Sequence, residues 1–197
     1  HPRSKHAPLA RYYVAGNFHN LAFFKQAAKN YEAFFHQHPR HKEAAAALLW
    51  AVVLRGGLGD EKRMMRAAAD LIRRFRARQP DLAAKAYWLV VKMHEHRGDD
   101  DRLLIGLQRY LRGYAQAGPV DRHLEALVKL GALYWRRACK VTPLHGQCIR
   151  VSHRWSHRRG KQRRSKRRVA VFVARDRRLV GAASRLFARA RRLWDRG

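Results

Sequence analysis

The residues best equipped for chemistry lie in residues 136–148, RRACKVTPLHGQC. This stretch holds the two cysteines of the chain, Cys139 and Cys148, with Pro143, His145 and Gly146 between them. A disulfide joining them would close a short loop across a turn at Pro143 and Gly146, and chain-entropy arguments assign such a bridge roughly 2–3 kcal/mol. Disulfides persist in oxidising compartments. A bridge therefore implies a periplasmic or cell-envelope protein, whereas two reduced thiols imply the cytoplasm; the bridge is the expectation. Adding His145, His153 and His157 gives a set chemically suited to Zn²⁺. The gap between the cysteines is wider than a zinc knuckle uses, however, and a dication would add positive charge to an arginine-rich run. Neither a metal nor another cofactor is expected. His36, His38 and His41 cluster near a helix end, where imidazoles usually meet the helix dipole.

The second chemical feature is charge. Forty-four Lys and Arg stand against 14 Asp and Glu, a formal net charge of +30. Such a chain repels itself and is expected to meet anions: acidic protein surfaces, nucleic acid or anionic lipid. Residues 150–168, RVSHRWSHRRGKQRRSKRR, contain no acid. The anion-binding candidates there are Arg154, Arg158, Arg159, Lys161, Arg163, Arg164, Lys166, Arg167 and Arg168, with Trp155 able to stack on a base. A block of this kind is expected to be a solvated linker. The scarce acids fall mostly at helix starts, where they cap or offset the dipole. No HExxH, nucleophile elbow or Gly-rich phosphate loop is present, so catalytic residues are not expected and the chain reads as a non-enzyme.

The elements that must position these groups are helices. Apolar spacing, with Gly and Pro at element ends, gives helix pairs over 9–16 with 20–39, 41–60 with 61–80, and 81–99 with 101–119, then a helix over 120–138. Pro39, Pro80 and Pro119 are expected to close the second helices; Gly59 and Gly98 separate the helices of a pair, with Asp60 and Asp99 as N-caps. A helix–turn–helix period near 40 residues is the mark of an α-solenoid. Residues 1–138 are thus expected to form helical repeats, 139–149 a Cys-bounded loop, 150–168 a basic linker, and 169–197 a short strand-like segment and an amphipathic helix. The strand candidate is RVAVFVARD, 168–176; the last helix carries Leu179, Ala183, Leu186, Phe187, Ala190 and Trp194 on one stripe. No stretch reaches the length needed to span a bilayer. A chain that opens on His1 and places Trp194 so near its end reads as a piece of a longer repeat protein.

The run Ala27, Tyr31, Phe34, Pro39 resembles the second half of a tetratricopeptide repeat: a small residue at the close approach, an aromatic filling the gap, and a proline stop. Ala68, Ile72, Phe75 and Pro80 repeat it; Leu107 departs from it. Over residues 13–194 the order of helix pairs, cysteine loop, basic stretch, strand-like segment and helix resembles envelope-associated tetratricopeptide proteins of deltaproteobacteria, including those linked to gliding motility. The matching positions are Trp135, Cys139, Pro143, Gly146, Cys148, Arg175, Ala183, Phe187 and Trp194. A Cys-Gly-Pro element expected before the strand is replaced by SKRRVAV. The resemblance implies a scaffold without chemistry. An acidic or carboxylate-bearing partner segment would lie in a groove containing Tyr12, Tyr13, Trp50, Arg55, Lys85, Trp88, Lys92, Lys129 and Arg136. The alternative is a nucleic-acid-binding protein that uses residues 150–168.

Overall fold

Turn chemistry divides the chain into helices of similar length. The computed structural model describes residues 7–139, 149–156, 165–172 and 176–196. Among them, helices α1 (Ala7–Asn20), α2 (Phe24–Gln37), α3 (Ala44–Gly57), α4 (Glu61–Phe75), α5 (Pro80–His96), α6 (Asp100–Gly113) and α7 (Val120–Ala138) follow one another. A hairpin of β1 (Ile149–Ser156) and β2 (Ser165–Phe172) and helix α8 (Arg177–Trp194) complete the order. The chain forms two compact units, residues 1–123 and 124–197.

In the first unit each helix packs on the next, and α3 also packs on α5. Small residues make the approach possible. Ala27, Ala28, Ala44, Ala45, Ala47, Ala51, Ala67, Ala68, Ala83, Ala84 and Ala86 are buried, and Phe34, Leu48, Val52, Leu71, Val91, Leu107 and Tyr110 fill the space between them. Tyr31 and Phe34 sit in the core as the repeat pattern requires. In α6 the tight position falls on Gly106, one residue before the expected site. A Cβ there would stand 3.3 Å from a Val91 methyl, while Leu107 is a buried core residue.

The turns within the pairs are equivalent. Gly59 and Gly98 adopt left-handed φ of 71° and 66°, a region that side chains make costly. Asp60 then accepts from the Arg63 N–H at 3.3 Å and Asp99 from the Arg102 N–H at 3.0 Å, capping α4 and α6. The first pair uses poorer residues: Ala22 takes φ 61°, and Phe23 at the N-cap makes no side-chain cap. Two expected boundaries move accordingly. The helix expected to end at Gly16 continues to Asn20, and Phe23, inside the helix expected over 20–39, is 51% exposed in the turn before α2. Pro80 opens α5 instead of closing α4, because a first-turn position needs no backbone N–H.

In the second unit α7 buries Ala126, Leu127, Leu130, Gly131 and Leu133, and α8 buries Ala183 and Ala190. Gly131 is required by closeness: a Cβ there would lie 2.8 Å from the Phe187 ring. Asp176 caps α8, accepting from the N–H groups of Arg178 at 2.7 Å and Leu179 at 3.3 Å. Residues 150–168 do not form a plain linker. Strand β1 lies within them apart from Ile149, and it pairs antiparallel with β2, from Ile149 opposite Phe172 to Ser156 opposite Ser165. A lone strand leaves its backbone groups unpaired; a partner of matching length satisfies them. The dense Arg and Lys concealed the alternation Ile149, Val151, His153, Trp155 that makes the first strand.

Candidate functional site

Between α3 and α5 the first unit carries a groove built from two adjoining cavities. The larger, about 540 Å³, is floored by Val52, Val53, Met64, Leu89 and Met93 and walled by Gly56 and Gly57. The smaller, about 220 Å³, is lined by Trp50, Val53, Lys85, Trp88, Leu89 and Arg122. Val53 and Leu89 belong to both, so the two adjoin. The helix spacing explains the arrangement: residues 49, 50 and 53 of α3 and residues 85, 88, 89 and 92 of α5 recur at three and four, which sets them on one side of each helix. Trp50 is 40% exposed. Its ring makes an edge contact with His19 at 4.9 Å between ring centres. Burial is the main reason the Tyr12 phenol lies above its ordinary pKa.

Lys85 and Arg122 line the smaller cavity, and Lys92, His96, Arg97 and Glu61 the larger. Lys92 pairs with Glu95 and Arg97 with Glu61, each at 2.8 Å.

Of the expected groove residues, Trp50, Lys85, Trp88 and Lys92 line these cavities. Arg55 does not. It is 3% exposed, and its guanidinium is directed away from solvent. Its Nε and Nη2 donate to the two carboxylate oxygens of Glu32, each at 2.8 Å, and its Nη1 donates to Asp60 at 3.3 Å. The hydrogen bond to Glu32 raises its pKa further. Arg55 therefore ties α2, α3 and the start of α4 together. Tyr12 packs edge-on against Tyr31 and obliquely on Phe34, and so serves the core more than the groove. Tyr13 is exposed on α1. Lys129 and Arg136 belong to the other unit; Lys129 pairs with Glu125 at 2.9 Å.

His94 takes the place of Arg55 in the next pair. Each lies five residues before the capping aspartate, whose N–H bonds back to its carbonyl oxygen. His94 is buried, and its Nδ1 has no hydrogen-bond partner among the described residues. Burial lowers its pKa, opposed by the nearby Asp99 carboxylate.

The second unit holds a polar cavity of about 840 Å³, lined by Arg136, Arg137, Cys139, Asp176, Arg177, Arg178 and Leu179. The Cys139 sulfur stands 3.1 Å from the Trp135 carbonyl oxygen, and no described cysteine is a free thiol. Cys148 lies outside the described residues, as do His145 and His157 of the metal set. Of the anion-binding candidates, Arg154 lies on β1 and Lys166, Arg167 and Arg168 on β2. Arg158, Arg159, Lys161, Arg163 and Arg164 fall outside the described residues. No group of three or more metal-ligating side chains occurs among the described residues. No described helix is long and apolar enough to cross a membrane.

Spacing missed Val53, Leu89, Met64, Arg97 and Arg122 as groove residues. The glycine repeat at 59 and 98 could have flagged Arg55 and His94 as equivalent and inward-facing. No family model matches the chain, and no curated protein matches it.

Proposed function

We propose that the protein is a non-enzymatic scaffold whose helix pairs form a tetratricopeptide-like solenoid, and that the groove over α3 and α5 seats an acidic partner segment. The observation that carries this reading is the pair of adjoining cavities that share Val53 and Leu89, with an apolar floor and with Lys85 and Arg122 beside the smaller one. A partner of that chemistry would place one aliphatic or aromatic side chain over Val52, Met64 and Met93, and carboxylates near Lys85 and Arg122. A Cys139–Cys148 disulfide and a place in a bacterial envelope complex belong to the same proposal.

The test is saturation binding of labelled acidic peptides, each with one apolar anchor, to the full chain. Gly57 supplies the blocking variant. A Cβ there meets nothing within 4 Å, so Gly57→Trp adds a ring at the cavity wall without a clash at its Cβ. Gly57→Trp should abolish saturable binding and Lys85→Glu should weaken it about tenfold. Binding that ignores both variants contradicts the reading. Alkylation before and after reduction tests the bridge: Cys139 and Cys148 should resist until reduced.

A further inference from the structure

We propose that the turn joining α1 to α2 is a docking point for an anionic membrane surface: Leu21, Phe23 and Phe24 enter the interface, and Lys25 and Lys29 meet its headgroups. The proposal is independent of the α3–α5 groove. Three turns of the first unit share one backbone design. Ala22, Gly59 and Gly98 all take left-handed φ. The N–H of the next residue, Phe23, Asp60 or Asp99, donates to a carbonyl oxygen five residues back, at 2.8, 2.9 and 3.1 Å. With the backbone held constant, the side chains compare position by position. The second turn reads Gly59, Asp60, Glu61 and the third Gly98, Asp99, Asp100; the first reads Ala22, Phe23, Phe24. Two acids are thus replaced by two phenyl rings, and both the permissive glycine and the capping carboxylate are given up. The stability of the turn favours none of these choices; a role outside the fold accounts for them.

The apolar groups are presented to solvent. Leu21 is 67% exposed, Phe23 51% and Phe24 42%. Phe23 meets Phe18 edge-on at 6.3 Å between ring centres, and Phe24 meets His19 at 6.0 Å, so both rings are positioned. Residues 21–26 are all exposed, which sets these groups on a projecting turn and not in a hollow. The boundary between headgroups and acyl chains accepts a projecting apolar group, whereas a folded partner has to supply a matching cavity. Charge selects the occupant further. Residues 7–31 contain no Asp or Glu. Lys25 and Lys29 are exposed on the first two turns of α2, four residues apart and so on one side of it. Their stems can lie along the interface while the ammonium groups reach anionic headgroups. A second copy of the chain fits less well: it would set these lysines against their own counterparts in a protein of net charge +30.

The test measures binding of the full chain to vesicles of phosphatidylserine and phosphatidylcholine over a range of salt. F23S/F24S removes the rings without changing charge and places a good N-cap at position 23. It should weaken binding at least about tenfold and leave the salt dependence unchanged. K25Q/K29Q should weaken it about tenfold and flatten the salt dependence. A control that removes exposed apolar side chains elsewhere, I105S/V128S, should change affinity less than about threefold. Undiminished vesicle binding by F23S/F24S, or equal losses in F23S/F24S and the control, would reduce the effect to bulk charge and overturn the docking point. Sedimentation equilibrium without lipid forms a second arm, in which the unaltered chain and F23S/F24S should behave alike. A dimer lost in F23S/F24S would assign the turn to a second copy and overturn the proposal. So would loss of saturable acidic-peptide binding in F23S/F24S with vesicle binding intact, which would assign the turn to a protein partner.

Discussion

The two units carry the same number of cations and use them differently. Residues 1–123 hold 22 Lys and Arg with 11 Asp and Glu; residues 124–197 hold 22 with 3. In the first unit the acids serve the fold. Glu32 and Asp60 hold the buried Arg55, Asp60 and Asp99 cap helices, and Glu61 at the start of α4 pairs with Arg97 at the end of α5. In the second unit Asp176 serves its own helix cap. Arginine content alone is thus a poor guide to binding. Arg55 is a structural tie because its charge is matched inside the protein.

That contrast can be broken most sharply at Arg55. Glu32→Ala leaves a buried guanidinium with one partial partner, and should cost about 3 kcal/mol of unfolding free energy by denaturant titration. In the second unit, Arg177→Gln should leave the same measurement unchanged. A tie of another kind lies at Gly131. Gly131→Val forces a side chain into the Phe187 ring and should cost about 2 kcal/mol, with Phe187→Ala recovering part of it.

Smaller effects separate the turns. Gly59→Ala or Gly98→Ala should each cost about 1 kcal/mol, because φ is left-handed there. Ala22→Gly should instead gain up to about 1 kcal/mol, raising the first turn to the standard of the others. The smallest effect is at His94. Its folded pKa lies below the ordinary 6.5, so protonation favours the unfolded chain. Its contribution should be complete above the ordinary imidazole value and fall away as pH drops through the folded one. His94→Phe should flatten that part of the stability–pH curve, and a curve unchanged by it would show that His94 does not report burial.

The helices were legible in the sequence because their signals are local: alanines at close contacts, Gly-Asp at 59–60 and 98–99, and apolar residues three and four apart. Their ends were less so. The turn at Ala22 and Phe23 carries neither the glycine nor the cap that marked the others, so the first helix was ended too early. Groove residues were half legible. Trp50, Lys85, Trp88 and Lys92, named as candidates on the first helices, line the two cavities. Arg55 was misread because nothing in its neighbourhood announces Glu32, 23 residues earlier, as its partner. Strand β1 was hidden for a different reason: pairing, which no single strand's sequence expresses, makes it a strand.

The measurement that tests the groove most directly uses the chain's five tryptophans. Trp50 and Trp88 line the groove, whereas Trp135, Trp155 and Trp194 belong to residues 124–197. An acidic peptide with one apolar anchor is titrated into the isotope-labelled full chain while the indole N–H resonances are followed. Saturable shifts of Trp50 and Trp88, with the other three unmoved, are the predicted result. Shifts confined to Trp135, Trp155 and Trp194 would contradict it, and would mean that the arginine-rich unit binds acidic peptides by charge alone.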